Sequence, residues 1–467
     1  MRGSRRALLG ALGSGLALAG CLRLESDGGG PAAGTTTDTA TETTRPVGTD
    51  PPETEATTEQ PEPVTALSGR WAQFRGGPAN AGVAPDATGP TGEVTETWRS
   101  SLPDGIDAYS SPVVADGRAF VLADDALLRA VDTKDGSVLW EQQFPADADD
   151  IGSPAVADGT LFAGPLDGGT FYALDAASGA YRWQTSIESG SFASPTVADG
   201  TVYVAGTEGT LYALDAADGS KRWAYDTGGR TVLGSPAVVD DTVYVPSTTA
   251  NELPDGTDDL FDVLYYDTFY QWGNLDEEPH ATATELDAEG TVHAVATGDG
   301  AARWTRTLPD FVVSTPAVVD GTLYVGCWDA NVYALDTADG ATRWRSAADA
   351  PVSSSPAVAD GVVYCGDWAG NLHAFDAASG GRQWFLPVGE HVGSSPAVAG
   401  DTVFVAGDNN AVVGVATSGR QRWQFQGGSG DFNASSPAVV GESVLVCGDL
   451  AEDTDSNTSA LFRLDPA

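Results

Sequence analysis

An all-β, eight-bladed propeller of four-stranded antiparallel blades is predicted by three observations on this chain. First, a unit of about forty residues opens on Ser/Thr-Pro eight times, at Ser111-Pro112, Ser153-Pro154, Ser194-Pro195, Ser235-Pro236, Thr315-Pro316, Ser355-Pro356, Ser395-Pro396 and Ser436-Pro437. Second, every unit carries short alternating β-branched and aromatic runs separated by turn signals, with no helical period. Third, seven units close on a tryptophan (Trp140, Trp183, Trp223, Trp304, Trp344, Trp384 and Trp423), and an eighth, Trp98, precedes the first Ser-Pro. A fixed period of this length marks stacked supersecondary units, and four short strands per period select propeller blades.

Each element follows from local chemistry, as Ser194–Trp223 shows. Proline opens the first strand, where a missing backbone donor matters least. The small residues after it suit a position where many inner strands crowd one axis. Asp-Gly, as at Asp199-Gly200, Asp158-Gly159, Asp320-Gly321 and Asp360-Gly361, joins the first two strands as a two-residue hairpin. Thr201–Val204 and Thr210–Leu214 read as the second and third strands. Asp215–Gly219 turns into the fourth. The closing Trp sits on that outermost strand, placed to wedge between blades and bury a large flat surface.

The last unit, from Ser436, supplies three strands and no Trp. Residues 94–100, with Trp98, are therefore predicted to complete it, joining the two ends of the chain and removing the open edges. The interval from Pro236 to Pro316 is about twice the usual one, yet contains no further Ser-Pro or closing Trp. It is predicted to be one blade with an insertion over residues 246–290, between its second and third strands.

Residues 1–20 read as an export signal with the twin arginines Arg5 and Arg6, and their apolar run is too short to span a bilayer. Leu18-Ala19-Gly20-Cys21 matches a lipobox, in which cleavage leaves Cys21 to carry a diacylglyceryl group. Residues 21–66 are Thr-, Pro-, Glu- and Gly-rich with almost no large apolar side chain, and are expected to form a flexible stalk below a propeller over residues 67–467. The expected location is the outer face of the cytoplasmic membrane, anchored through Cys21.

The net charge is −43, from 66 acidic and 23 basic residues, with Lys134 and Lys221 the only lysines. Such self-repulsion is tolerable where salt screens it, since the Debye length at 1 M is about 3 Å. The composition is that of a high-salt protein, and with twin-arginine export it points to a halophilic archaeon. The acid reads as solvation, and it argues against nucleic acid as a partner. Besides Cys21 there are Cys327, Cys365 and Cys447; three thiols cannot all pair, and their expected role is that of buried small apolar residues.

The repeat S-P-A-V-x-D-G-x-[VL]-Y-V-G…G-x-L-Y-A-L-D-A-x-x-G-x-x-x-W resembles the pyrroloquinoline-quinone (PQQ) repeat over residues 71–467. Trp71-Ala72-Gln73-Phe74-Arg75-Gly76 is similar to the W-x-Q-F-R-G opening of that family. The resemblance implies one of two branches. Quinoprotein dehydrogenases hold PQQ and Ca²⁺ in the central funnel; PQQ-like propellers without cofactor, such as the BamB-type lipoprotein of outer-membrane assembly, bind proteins. The chain lacks the adjacent Cys-Cys pair and the long insertions of the first branch, and no Glu/Asn/Asp metal set or catalytic Asp is placed by motif. The second branch is the nearer likeness.

A site, if present, is expected on the face carrying the loops between second and third strands and those linking blades. Trp328-Asp329 and Asp367-Trp368 stand there in neighbouring blades, with His391 in the loop entering the seventh. The insertion adds Tyr266 and Trp272 among several Asp residues. Aromatics with carboxylates at a funnel mouth suit an aromatic, sugar-like or cationic ligand, or a partner's loop. His293 and His373 occupy the Tyr position of Leu-Tyr-Ala-Leu and are expected to be structural. Asn433 and Asn457 head glycosylation sequons on expected surface loops.

The function expected is non-catalytic: a monomeric, surface-anchored module that binds other cell-surface proteins, with no cofactor. The alternatives are a PQQ- and Ca²⁺-dependent dehydrogenase and an extracellular glycan- or solute-binding protein.

Overall fold

A computed structural model of the chain describes residues 65–467 except 103–109, 124–125, 146–151, 165–168, 189, 192, 229–233, 251–287, 408–410, 428–434 and 450–458. The export signal with Arg5 and Arg6, Cys21, the stalk as far as residue 64, Tyr266, Trp272, Asn433 and Asn457 lie outside the described residues. The described residues form thirty-two strands in eight four-stranded antiparallel sheets, arranged as the ring of an eight-bladed propeller.

Blade 3 is the plain case: Thr196–Ala198, Thr201–Ala205, Thr210–Asp215 and Lys221–Asp226 lie side by side in chain order. Its first hairpin turns on Asp199 and Gly200 at φ 47° and 69°, the left-handed pair a two-residue turn requires. Blade 8 is closed by the chain's other end. Val94–Ser101 pairs antiparallel with Ser459–Pro466, outside Ala438–Val440 and Ser443–Asp449.

The tryptophans hold neighbouring blades together. The Trp183 indole N–H donates to the Ala216 carbonyl of the next blade at 3.0 Å. Its ring lies over Gly219, where an added Cβ would stand 2.5 Å from a ring carbon. Trp98, Trp140, Trp223, Trp304, Trp344 and Trp384 repeat the bond around the ring. Trp423 has no following turn to meet, because the outer strand of blade 8 comes from the N-terminal side. It donates to the Pro90 carbonyl instead, at 2.9 Å.

The Ser/Thr of each Ser/Thr-Pro step does something the sequence pattern did not reveal. Its hydroxyl oxygen accepts the backbone N–H of the corresponding residue in the preceding blade. The chain of bonds runs from Ser111 through Ser153, Ser194, Ser235, Thr315, Ser355, Ser395 and Ser436 back to Ser111, at 2.8–3.0 Å throughout. A closed ring of eight hydrogen bonds thus ties the inner ends of all the blades. Only a β-hydroxyl at this position offers an acceptor of the right reach, which explains why Thr315 replaces Ser without a break.

The axis is not empty. Residues 71–84 pass along the inner edges of the first strands and supply acceptors that an open edge would lack. Trp71, Ala72, Pro78, Ala79, Ala81 and Gly82 give carbonyls to the N–H groups of Val114, Val156, Val238, Val318, Val358 and Val398 at 2.6–2.9 Å. The Gln73 side-chain carbonyl serves Val197 at 2.9 Å. Asn80 and Arg75 donate back, Asn80 Nδ2 to the Pro236 carbonyl at 2.8 Å and Arg75 Nη2 to that of Pro356 at 2.7 Å, with Nη1 on Pro396. The W-x-Q-F-R-G opening is therefore an axial strap.

One expectation needs correction. The insertion in blade 4 is shorter than residues 246–290, because Thr242–Ala250 and Ala288–Ala296 stay paired to Ala250↔Ala288. The β-branched run Thr248-Thr249 and the alternating Ala288–Val292 continue the ladder past the usual blade length. Cys327 is the last residue of the second strand of blade 5, Thr322–Cys327. It is buried and in no disulfide among the described residues, as are Cys365 and Cys447.

Candidate functional site

The loops entering a blade interleave with those between its second and third strands, so both build the same face. Trp328 N–H donates to the Phe311 carbonyl and Trp368 N–H to that of Pro351, each at 3.0 Å. Val352 and Val392 cross to the preceding blade, reaching the carbonyls of Cys327 at 3.2 Å and Asp367 at 3.0 Å. Trp328 and Trp368 hold equivalent positions in blades 5 and 6, and this interleaving brings them together. Their ring centroids lie 4.6 Å apart at 64°, and Phe311 meets Trp328 at 5.4 Å and 86°. Trp368 Nε1 donates to Ser353 Oγ at 2.9 Å. Trp328 Nε1 is buried with no hydrogen-bond partner among the described residues.

Carboxylates flank this aromatic corner. Asp329 accepts the Asn331 N–H at 3.1 Å and the Tyr333 hydroxyl. Partial burial, with the Asp329 charge adding to it, pushes the Asp310 carboxyl up to about 6, although the Phe311 N–H pulls the other way. The blade 4 ladder rises beside them. Gly290 packs so closely on this loop that an added Cβ would lie 2.4 Å from Val312 and 2.6 Å from the Asp310 carbonyl. The Thr248–Gly290 rung of the ladder therefore packs against the loop that carries Phe311.

Asp367 is engaged within the chain. Its side chain is buried, and its two oxygens accept His373 Nε2 at 2.7 Å, Asp349 N–H at 3.1 Å, Ala369 N–H at 3.0 Å and Asn371 N–H at 2.9 Å. Burial alone would raise its pKa, but the bonds from His373 and Asn371 outweigh it and hold the group below the usual carboxylate range. Asp367 is the staple of its turn. Ligand-type atoms of Asp349, Asp367 and His373 lie within 4.8 Å of one another. Arg382 already grips both Asp349 oxygens at 3.0 Å and Asp367 is fully bonded, whereas His373 Nδ1 is buried with no partner among the described residues. His391 is half-buried beside Val392 on the same face.

His293, in the Tyr position of blade 4, is buried between two hydroxyls: Tyr225 at 3.1 Å from Nδ1 and Ser247 at 2.8 Å from Nε2. Burial pulls its pKa down to about 4. Between that value and the unfolded value near 6.5 the unfolded chain binds the extra proton, so stability falls as pH drops through this window. Relative to His293→Phe, the wild type should lose about 3 kcal/mol between pH 7 and pH 4, since each pK unit is worth about 1.4 kcal/mol. Chemical denaturation of both chains at the two pH values checks this; a difference that does not change with pH refutes it.

The PQQ expected of a quinoprotein fits these residues poorly. PQQ carries three carboxylates, and the acids Asp310 and Asp329 stand beside the aromatic corner. The rings meet at steep angles, so they do not form a parallel platform. Asp367, one of the acids first suspected, is consumed by its own turn.

A family model described as outer membrane protein assembly factor BamB matches residues 88–151, 147–254, 281–344 and 328–451, more than half of the chain. Among curated proteins no relative matches. The crystal structure of BamB from Moraxella catarrhalis superposes with a TM-score of 0.57 at 18% identity, covering 79% of this chain and 99% of that one. A europium-containing methanol dehydrogenase gives 0.66 at 15% identity, over 85% and 98% of the two chains. A quinohemoprotein alcohol dehydrogenase from Comamonas testosteroni gives 0.63 at 15%, over 85% and 80%. At these identities the likeness is one of fold.

Proposed function

Because the chain belongs to the PQQ-repeat β-propeller family, we propose that it is a non-catalytic protein-binding scaffold, tethered outside the cell by lipidated Cys21, with its mouth over blades 4 to 6 as the binding face. One observation carries this reading: the chain's own residues 71–84 occupy the axis. That arrangement supports a shallow mouth in place of a deep cofactor funnel. What stands at the mouth is a three-ring aromatic corner, two flanking carboxylates and the stem of a long insertion. Large aromatics beside charge are the composition of interaction hot spots. The family likeness to an assembly factor points the same way.

Photo-crosslinking on whole cells tests it. A photoreactive side chain at position 368 should give a discrete adduct with another surface protein. The same group at Ala378, exposed on a turn at the opposite face, should give none. The Cys21→Ser chain should appear in the medium and lose the adduct. Equal adducts at both positions, or none at 368, would overturn the binding face; retention of Cys21→Ser on the membrane would overturn the tether.

A further inference from the structure

We infer that the propeller axis is a binding site for one small inorganic anion of halide size, held by Arg75 against the ring of Ser/Thr hydroxyls. Arg75 is 2% exposed and stands inside the strap, reached from every side by backbone. Two of its N–H groups reach the carbonyls of Pro356 and Pro396. Its Nε–H, also buried, has no partner among the described residues. No described carboxylate pairs with it, although the chain carries 66 acidic residues. A buried cation without a counter-charge is among the costliest groups a fold can hold. Burial pulls its pKa down to about 9, which still leaves it charged at neutral pH.

The ring supplies a second and independent sign. Each of the eight hydroxyl oxygens accepts a backbone N–H, yet none has an acceptor for its own hydrogen among the described residues. All eight residues are buried, between 1% and 7% exposed. Pro356 and Pro396 directly follow the ring residues Ser355 and Ser395, so the guanidinium lies one residue from the ring. Unused O–H donors and an unpaired cation at one axis ask for an acceptor that carries negative charge. The guanidinium is closely packed on its Nη2 side, where a Cβ added at Gly82 would lie 2.2 Å from Nη2 and 3.0 Å from the Ala357 Cβ, which favours a compact ion. A single chloride or bromide ion supplies both the negative charge and the acceptor.

The test replaces chloride by gluconate at constant sodium and ionic strength, in the full chain and in Arg75→Met. The unfolding constant of the wild type should fall about tenfold for each tenfold rise in chloride above half-saturation, as linkage to one site requires. Arg75→Met should show no such dependence. Crystals of the wild type grown in bromide should show one anomalous peak within hydrogen-bond distance of Arg75 Nε. Wild-type stability indifferent to the exchange, a variant that responds like the wild type, or an axis without bromide would each overturn the inference. Should Arg75→Met fail to fold, the bromide signal decides alone.

Discussion

A chain that begins at Gly92 should show no cooperative unfolding transition. It keeps Val94–Ser101 and so can still close blade 8, but it loses the strap. Seven first-strand N–H groups, from Val114 round to Val398, then have no acceptor from the chain. At a net value of roughly 1 kcal/mol per hydrogen bond the loss is about 7 kcal/mol. Trp71, 3% exposed, leaves the core as well, and burial of a large side chain contributes roughly a further 3 kcal/mol. Together these approach the whole stability of a typical domain, about 5–15 kcal/mol. Calorimetry and near-UV circular dichroism would read the result. A sharp transition near that of the full chain would show the strap to be an ornament on a ring that closes without it.

Trp423→Ala should cost about 3–5 kcal/mol, the range for deleting a buried aromatic. Its indole is 5% exposed, packs against Phe404 at a centroid distance of 5.9 Å and donates to Pro90. It also closes over Gly414, where an added Cβ would lie 2.3 Å from the ring. The site lies where the N-terminal segment meets blade 7, so the loss should also loosen the closure of the ring. Denaturant midpoints of the two chains give the figure; a loss under about 1 kcal/mol would mean that the interblade wedge is not what holds the ring.

The candidate site was only partly legible beforehand. Trp328 and Trp368 stood out because their blades carry aromatics where others have small residues, and the fold does bring them together. Asp367 stood out for the same reason, yet it is a turn staple. A carboxylate beside an aromatic looks alike in sequence whether it faces solvent or accepts four hydrogen bonds from within the chain. Phe311 and Asp310 were missed because the repeat in these links holds only at Val312, Val352 and Val392, while the position before each varies from Phe311 to Pro351 to His391. Arg75 was visible only as one letter of an opening motif, and nothing near it in the chain indicates that it ends at the axis.

The division has a physical basis. Strand period, turn glycines, closing tryptophans and the blade completed by Val94–Ser101 depend on contacts within a unit or between units related by the repeat, so a forty-residue pattern contains them. The hydroxyl ring was present in that pattern as a marker, but its purpose required eight copies placed around a common axis. The strap, the buried guanidinium and the aromatic corner depend on residues that meet once, across separations such as the 321 residues between Arg75 and Pro396. Contacts made once leave no periodic trace, and only closure of the ring decided them.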